Sequence, residues 1–241
     1  WKLVATGITL QIAFAALVLL VPGGRDVFDA LGNGFVKILS FVGEGSKFIF
    51  GNLMDVESYA SRMAAGRVIE TLPNQGIDSL VALFEVGALT TSMQVMRNDD
   101  VLYERDQAFG GAQLTQLIVR QYGFSADEAE AKKRSGDLPD DYRSAVLNPF
   151  IESMAQEIGR ALQFFFTSTP YNKVDHILLA GGSAALPGLT EGVTHQTSFA
   201  CMVINPFDGM EMASNVQARK IAREAPSYLT STGLALRRFY Q

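Results

Sequence analysis

Apolar residues first run together at Leu3 to Val21, LVATGITLQIAFAALVLLV, a stretch without charge whose clearly polar members are Thr6, Thr9 and Gln11. Its length falls in the range that crosses a bilayer core, so a transmembrane helix is expected over residues 3–21. A secretory signal would have a shorter apolar region and a small-x-small cleavage site after it, and none follows. From Arg25 to Met54 the pattern changes. Val27, Phe28, Leu31, Phe35, Ile38, Leu39 and Val42 fall at helical spacing, with Asp26, Asp29, Asn33 and Lys37 between them. That spacing predicts an amphipathic helix suited to a membrane surface or a helical partner.

Composition shifts again at Met54-Asp55, which divides the chain into residues 1–54 and 55–241. DVESYASRMAAGRVIETLP reads as a connecting helix within residues 55–78, with Asp55 as N-cap and Pro73 beyond its end. The body over residues 79–241 opens with a three-stranded meander from Ser79 to Phe109. SLVALFEV is an apolar strand, GALTT a tight turn and SMQVMR a second strand. Asn98-Asp99-Asp100 makes a hairpin turn before VLYERDQAF, whose residues alternate in character. Helices follow at AQLTQLIVRQYG and ADEAEAKKRSG, the latter capped by Ser125. A long helix over Asn148 to Phe166 has Phe150, Ile151, Met154, Ile158, Leu162 and Phe165 on one face. A buried strand at Ile177 to Gly181 runs into the Gly181-Gly182-Ser183 turn, and Pro187-Gly188-Leu189 opens the next helix. CMVINPF reads as a last short strand and Ala225 to Tyr240 as a last helix. The class is α/β.

Charge narrows the partners. Lys+Arg 20 against Asp+Glu 25 gives −5 and a pI near 5.1, which gives no reason to expect nucleic acid. The single cysteine, Cys201, excludes an intramolecular disulfide and reads as a buried apolar thiol. His176 and His195 lack metal-ligand spacing, and His176 reads as a structural residue of its strand.

The candidate chemistry sits at the Val174–Leu189 turn. Glycines let a backbone approach a ligand closely, and a helix start presents free N–H groups to an anion. Two further stretches carry matching features. Glu85-Val86-Gly87-Ala88-Leu89-Thr90-Thr91 resembles the second phosphate loop of the actin-like, RNase H-type nucleotide-binding superfamily, where Asp-x-Gly precedes Thr or Ser. Its glycine and amides would embrace outer phosphates and its hydroxyls donate to them. Glu130-Ala131-Lys132-Lys133 resembles that superfamily's Glu-x-x-Lys, whose two side chains share a helix face and would reach one ribose. Ala180-Gly181-Gly182-Ser183, with Gly188, resembles its adenosine loop.

LFEVGALTTSMQVM, YERDQAFGGAQLT, GFSADEAEAKKRSGDLPDDY, LQFFFTSTPYNKVDHILLAGGSAALPGL and PSYLTSTGLALRRF together resemble the type IV pilus assembly PilM family, relatives of the division protein FtsA. WKLVATGITLQ, VPGGRDVFDALGNG and GEGSKFIFGNL resemble the N-terminal region of concentrative nucleoside transporters, over residues 1 to about 54. The expected fold is therefore a partial actin-like fold preceded by one transmembrane helix and an amphipathic helix. The junction reads as a natural fusion, a mis-joined gene or an engineered chimera. No first phosphate loop lies between residues 1 and 78. The returning C-terminal helix, with Tyr228, Leu229, Leu234, Leu236 and Phe239, is expected to pack in the family's front lobe.

The PilM resemblance implies a pilus-assembly scaffold, incomplete and tethered by residues 3–21 on the cytoplasmic side of the inner membrane. Its implied partners are inner-membrane PilN-like assembly proteins, with an incomplete groove for them. It also implies a weak, partial ATP site, with magnesium accompanying the phosphates, made by Glu85, Gly87, Thr90, Thr91, Glu130, Lys133, Gly181, Gly182 and Ser183. No catalytic residue and no protein metal ligand is expected. Glu85 stands where the family has Asp. Phosphoryl transfer needs phosphates clamped from both sides and an aligned water, so no hydrolysis is expected. The competing readings are a nucleoside-transporter piece with a foreign C-terminal body and an actin-like ATPase. One membrane helix cannot form a transport path, and one phosphate loop cannot complete an ATPase.

Overall fold

The computed structural model describes residues 6, 56, 58–98, 100–214 and 216–237. The expected helices over 3–21 and 25–54, and the Asp55 cap, lie outside the described residues. Among the described residues no helix is long and apolar enough to cross a membrane. The chain divides into two compact units, Trp1–Val56 and Glu57–Gln241. The second is described below.

It begins with helix α1, residues 58–69, followed by a turn at Pro73–Gly76. Strands β1 (Val81–Val86), β2 (Thr91–Arg97) and β3 (Asp100–Gln107) form the meander. Helices α2 (Gly111–Tyr122) and α3 (Ala126–Ser135) come next, then a wide turn at Arg143–Leu147 and helix α4 (Asn148–Ser168). Strand β4 (His176–Ala180), helix α5 (Leu189–Thr197) and strand β5 (Ala200–Val203) follow. Helix α6 (Ala218–Glu224), a tight turn at Ala225–Tyr228 and helix α7 (Leu229–Leu236) close the unit. The helix expected from Ala225 thus opens with a tight turn and is α-helical only from Leu229, and α6 before it was not expected.

Among the described residues the strands form one five-stranded sheet in the order β3-β2-β1-β4-β5. The β1–β2 and β2–β3 pairs are antiparallel, while β1–β4 and β4–β5 are parallel. Strand β1 is therefore central, and its alternation sorts the structure into two layers. Ala82, Phe84 and Val86 join the large core with Phe150, Met154, Ile158, Leu162 and Phe165 of α4. All six apolar positions expected on that helix face are buried.

Val81 and Leu83 point the other way, against Ala64, Ala65 and Val68 of α1 and Leu229 of α7. The returning helix was expected to pack in a front lobe. Instead Leu229 is fully buried within this unit, while Leu234 is 47% exposed. Contact between α7 and α1 is backbone-close, since a Cβ at Gly233 would fall on the main chain of Ala60.

Candidate functional site

Two sheet-edge turns meet at the ends of β1 and β4. The Gly87–Thr90 turn is closed by the Gly87 N–H donating to the Thr90 carbonyl at 2.9 Å. It is stitched to the start of α2, where the Gly111 N–H donates to the Gly87 carbonyl at 2.9 Å and the Ala112 N–H to the Ala88 carbonyl at 2.8 Å. At the end of β4, Gly181 takes φ 91°. A side chain there would be strained and would strike the Val86 backbone, so the position requires glycine. Its N–H donates to the Pro226 carbonyl at 2.8 Å, and the Ser183 N–H donates to the Val86 carbonyl at 3.4 Å. The Gly87 turn, the Gly181–Ser183 turn and the start of α2 thus share one floor.

Helices α2 and α3 raise one wall over it. Ser125 caps α3 by accepting from the Glu128 N–H at 3.2 Å, and this fixes where Glu130 and Lys133 emerge. The two pair at 2.6 Å, as their spacing of three on one helix face allows. Thr115 of α2 completes the group: its hydroxyl donates to Glu130 at 2.8 Å and accepts from Lys133 Nζ at 2.7 Å. Arg134 Nε donates to Glu130 at 3.0 Å. Partial burial pushes the Glu130 carboxyl up, but the bonds from Lys133, Thr115 and Arg134 outweigh it and hold the group at about 2. The wall therefore keeps a fixed carboxylate across the neutral range.

The opposite wall carries Lys220, Arg223, Pro226 and Ser227, enclosing a cleft of about 1080 Å³. Its floor of glycine backbone and its cationic rim suit a ligand with an anionic part. Of the nine expected site residues, Gly87, Glu130, Lys133, Gly181, Gly182 and Ser183 line this cleft. Nothing lies within 4 Å of where a Gly182 Cβ would stand, so the backbone there is open to an incoming group.

Three expected residues do not line it. The Thr91 hydroxyl donates to the Phe109 carbonyl at 2.6 Å. Thr90 is exposed outside it. Glu85 lies on the α1–α7 side of β1, where its carboxylate accepts from Ser61 at 2.7 Å and from Thr230 at 2.8 Å. Those two hydroxyls are themselves 2.9 Å apart. Glu85 thus ties the helices that enter and leave the lobe. Among the described residues no group of three His, Cys, Asp or Glu gathers for a metal ion.

Sequence reasoning missed Thr115, Lys220 and Arg223 at the cleft, and Ser61 and Thr230 at Glu85. The Ser125 cap and the Glu130–Lys133 spacing place α3, and with it the helix face that Thr115 meets. Ser61 and Thr230 lie 24 and 145 residues from Glu85, beyond any local signal.

The mixed sheet, with its meander, parallel additions and floor of two turns, defines an actin-like α/β lobe. Two solved structures share this fold. One is a PilM-PilN type IV pilus biogenesis complex, at TM-score 0.61 and 23% identity over 75% of this chain and 51% of that one. The other is the ethanolamine utilization protein EutJ from Carboxydothermus hydrogenoformans, at TM-score 0.54 and 20% identity over 75% and 53%. Residues 46–239 match the family model of type IV pilus assembly protein PilM, and the chain belongs to that family. Residues 1–53 match the N-terminus of Na+ dependent nucleoside transporters. Over 53 residues the chain is 36% identical to nucleoside permease NupC of Helicobacter pylori, a match covering 22% of this chain and 13% of the permease. The chain spans about half the length of the solved PilM and EutJ chains, at 51% and 53%.

Proposed function

We propose that the unit from Glu57 onward is a PilM-type assembly scaffold that holds an adenine nucleotide weakly in the cleft between α3 and the Gly181–Ser183 turn. The observation that carries this reading is the convergence in one cleft of Gly87, the Glu130–Lys133 pair and Gly181–Ser183, which lie far apart in sequence. Gly182 leaves room for a ring to approach the backbone, Lys133 and Glu130 would meet a sugar, and the Gly87 turn would face phosphates. ATP brings negative charge to that turn when bound, and any magnesium would come with the phosphates. Glu85, which binds Ser61 and Thr230, is a hinge residue in this reading.

One phosphate turn gives no clamp from the far side, so the chain binds without hydrolysing. Residues 3–21 tether the scaffold to the inner membrane, with the lobe on the cytoplasmic side. A PilN-like inner-membrane protein is the partner this reading favours, since the matched solved chain is in complex with PilN.

Calorimetric titration of the full chain with adenosine, ADP and ATP tests the nucleotide reading. All three should bind, within about tenfold of one another, because the adenosine end supplies most contacts. Absence of binding by all three would overturn it, as would ATP turnover by the pure chain. Carbonate extraction tests the tether: the chain should stay in the membrane pellet, and release into the supernatant would contradict it.

A further inference from the structure

Charge is unevenly spread around the cleft. Its lining holds the cations Lys133, Arg134, Lys220 and Arg223 against the carboxylates Glu130 and Glu224. The chain as a whole is acidic, with Lys+Arg 20 and Asp+Glu 25, so the cationic excess is local.

The two walls use their cations differently. On α3, Lys133 and Arg134 both bond Glu130, at 2.6 and 3.0 Å. On α6, Lys220 and Arg223 make no ion pair and no side-chain hydrogen bond among the described residues. Glu224 of the same helix accepts instead from the Tyr228 hydroxyl at 3.1 Å. Three positions apart, Lys220 and Arg223 share one face of α6. That helix buries none of its residues, so packing does not account for the pair. It is anchored at its end, where the buried Pro226 offers its carbonyl to the Gly181 N–H at 2.8 Å. The unspent positive charge of the cleft therefore stands on the α6 wall, joined to the Gly181–Ser183 turn, and not on the Glu130 wall.

We propose that Lys220 and Arg223 hold the phosphates of the bound nucleotide, so that α6 supplies the anion contact that the α3 wall, already paired, does not. This rests on the nucleotide reading of the cleft and adds to it the side chains that meet the ligand's charge. Lysine offers a point charge and arginine a fork of paired donors, and both suit phosphate oxygens. Both side chains are exposed, so water and salt screen them and the pair contributes about fivefold in affinity, not thousands.

The test titrates the full chain with adenosine, ATP and inorganic tripolyphosphate at low salt, with EDTA present so that the phosphates keep their full charge. It is repeated on the double variant Lys220→Gln, Arg223→Gln. A second double variant, Arg120→Gln, Lys173→Gln, removes the same charge from exposed positions outside the cleft. Wild-type chain should bind ATP several-fold tighter than adenosine and should bind tripolyphosphate saturably. In the α6 variant ATP should fall about fivefold, to the affinity of adenosine, and tripolyphosphate should weaken at least as much. Adenosine binding should stay unchanged there, which also reports that the variant is folded. Raising the salt should weaken ATP in the wild type and leave adenosine alone. ATP and tripolyphosphate binding indifferent to the α6 variant, with adenosine still bound, would overturn the proposal and leave the nucleotide reading standing. An equal loss in the Arg120, Lys173 variant would also overturn it, since overall charge alone would then be at work. Tripolyphosphate binding that depends on the α6 pair, without any adenosine binding, would uphold the anion contact and remove the nucleotide reading. Binding of none of the three would overturn both.

Discussion

The two faces of strand β1 perform different work. One face, Ala82, Phe84 and Val86, feeds a core that α4 covers with aromatic and aliphatic side chains. The other begins with Val81 and Leu83 but ends in Glu85, held by Ser61 of α1 and Thr230 of α7. The first face is sealed by area and the second by a carboxylate between two hydroxyls. Two residues past Glu85, Gly87 opens the cleft floor. The stable core, the interhelix tie and the candidate binding turn thus sit within β1 and the residue that follows it. A residue's motif position does not fix its side: Glu85 belongs to the phosphate-loop pattern by sequence and to the helix pair by geometry.

The contrast makes ordered predictions. The large-core face should be the more costly to damage. Phe84→Ala empties a site that is 1% exposed and should destabilise by about 3–5 kcal/mol in denaturant melts. A loss of less than 1 kcal/mol there would erase the distinction. Gly233→Val forces α7 away from the Ala60 backbone, which cannot yield, so a loss of about 3 kcal/mol is expected. Glu85→Ala leaves Ser61 and Thr230 without their shared acceptor and should cost about 1–3 kcal/mol. The same variant should hold ADP within about threefold of wild type, a shift below 1 kcal/mol. A collapse of ADP affinity would return Glu85 to the phosphate site.

The smallest effect is on pH. Glu130 is held at about 2, below the ordinary carboxylate value of 4.5, so its contribution is complete above 4.5. It should fade as pH falls from there toward 2. In Glu130→Gln that part of the acid sensitivity should be missing; identical acid titration curves for the two proteins would contradict it. The effect is modest because the side chain is 36% exposed.

Much of this was legible from local pattern. Alternation marked the meander, spacing marked the buried face of α4, and Ser125 marked the start of α3. The glycine pair at 181–182 marked a turn that in fact requires φ 91° at its first member. Helix α6 was not legible: ARKIARE buries none of its residues, so it has no apolar stripe to read. Lys220 and Arg223 consequently carried no local signal that they line the cleft. The tie at Glu85 was hidden for another reason, since its hydroxyl partners come from the first and last helices of the lobe. Cys201, read as a buried apolar thiol, is partly buried against the large core. Burial first, and then the charge of Glu191, push it up to about 12, which keeps it protonated at neutral pH.

The central claim is that the Gly181–Ser183 turn receives the nucleoside, and one substitution addresses it. Gly182 has open space ahead of its missing side chain, so Gly182→Val should fold normally and place two methyl groups where the ligand would lie. Calorimetric titration of the full-length variant with ADP should show affinity reduced by about a hundredfold or more, with Lys133→Ala reduced several-fold. Unchanged ADP affinity in a folded Gly182→Val protein would contradict the account, leaving Val174–Leu189 a strand, turn and helix with a structural role alone.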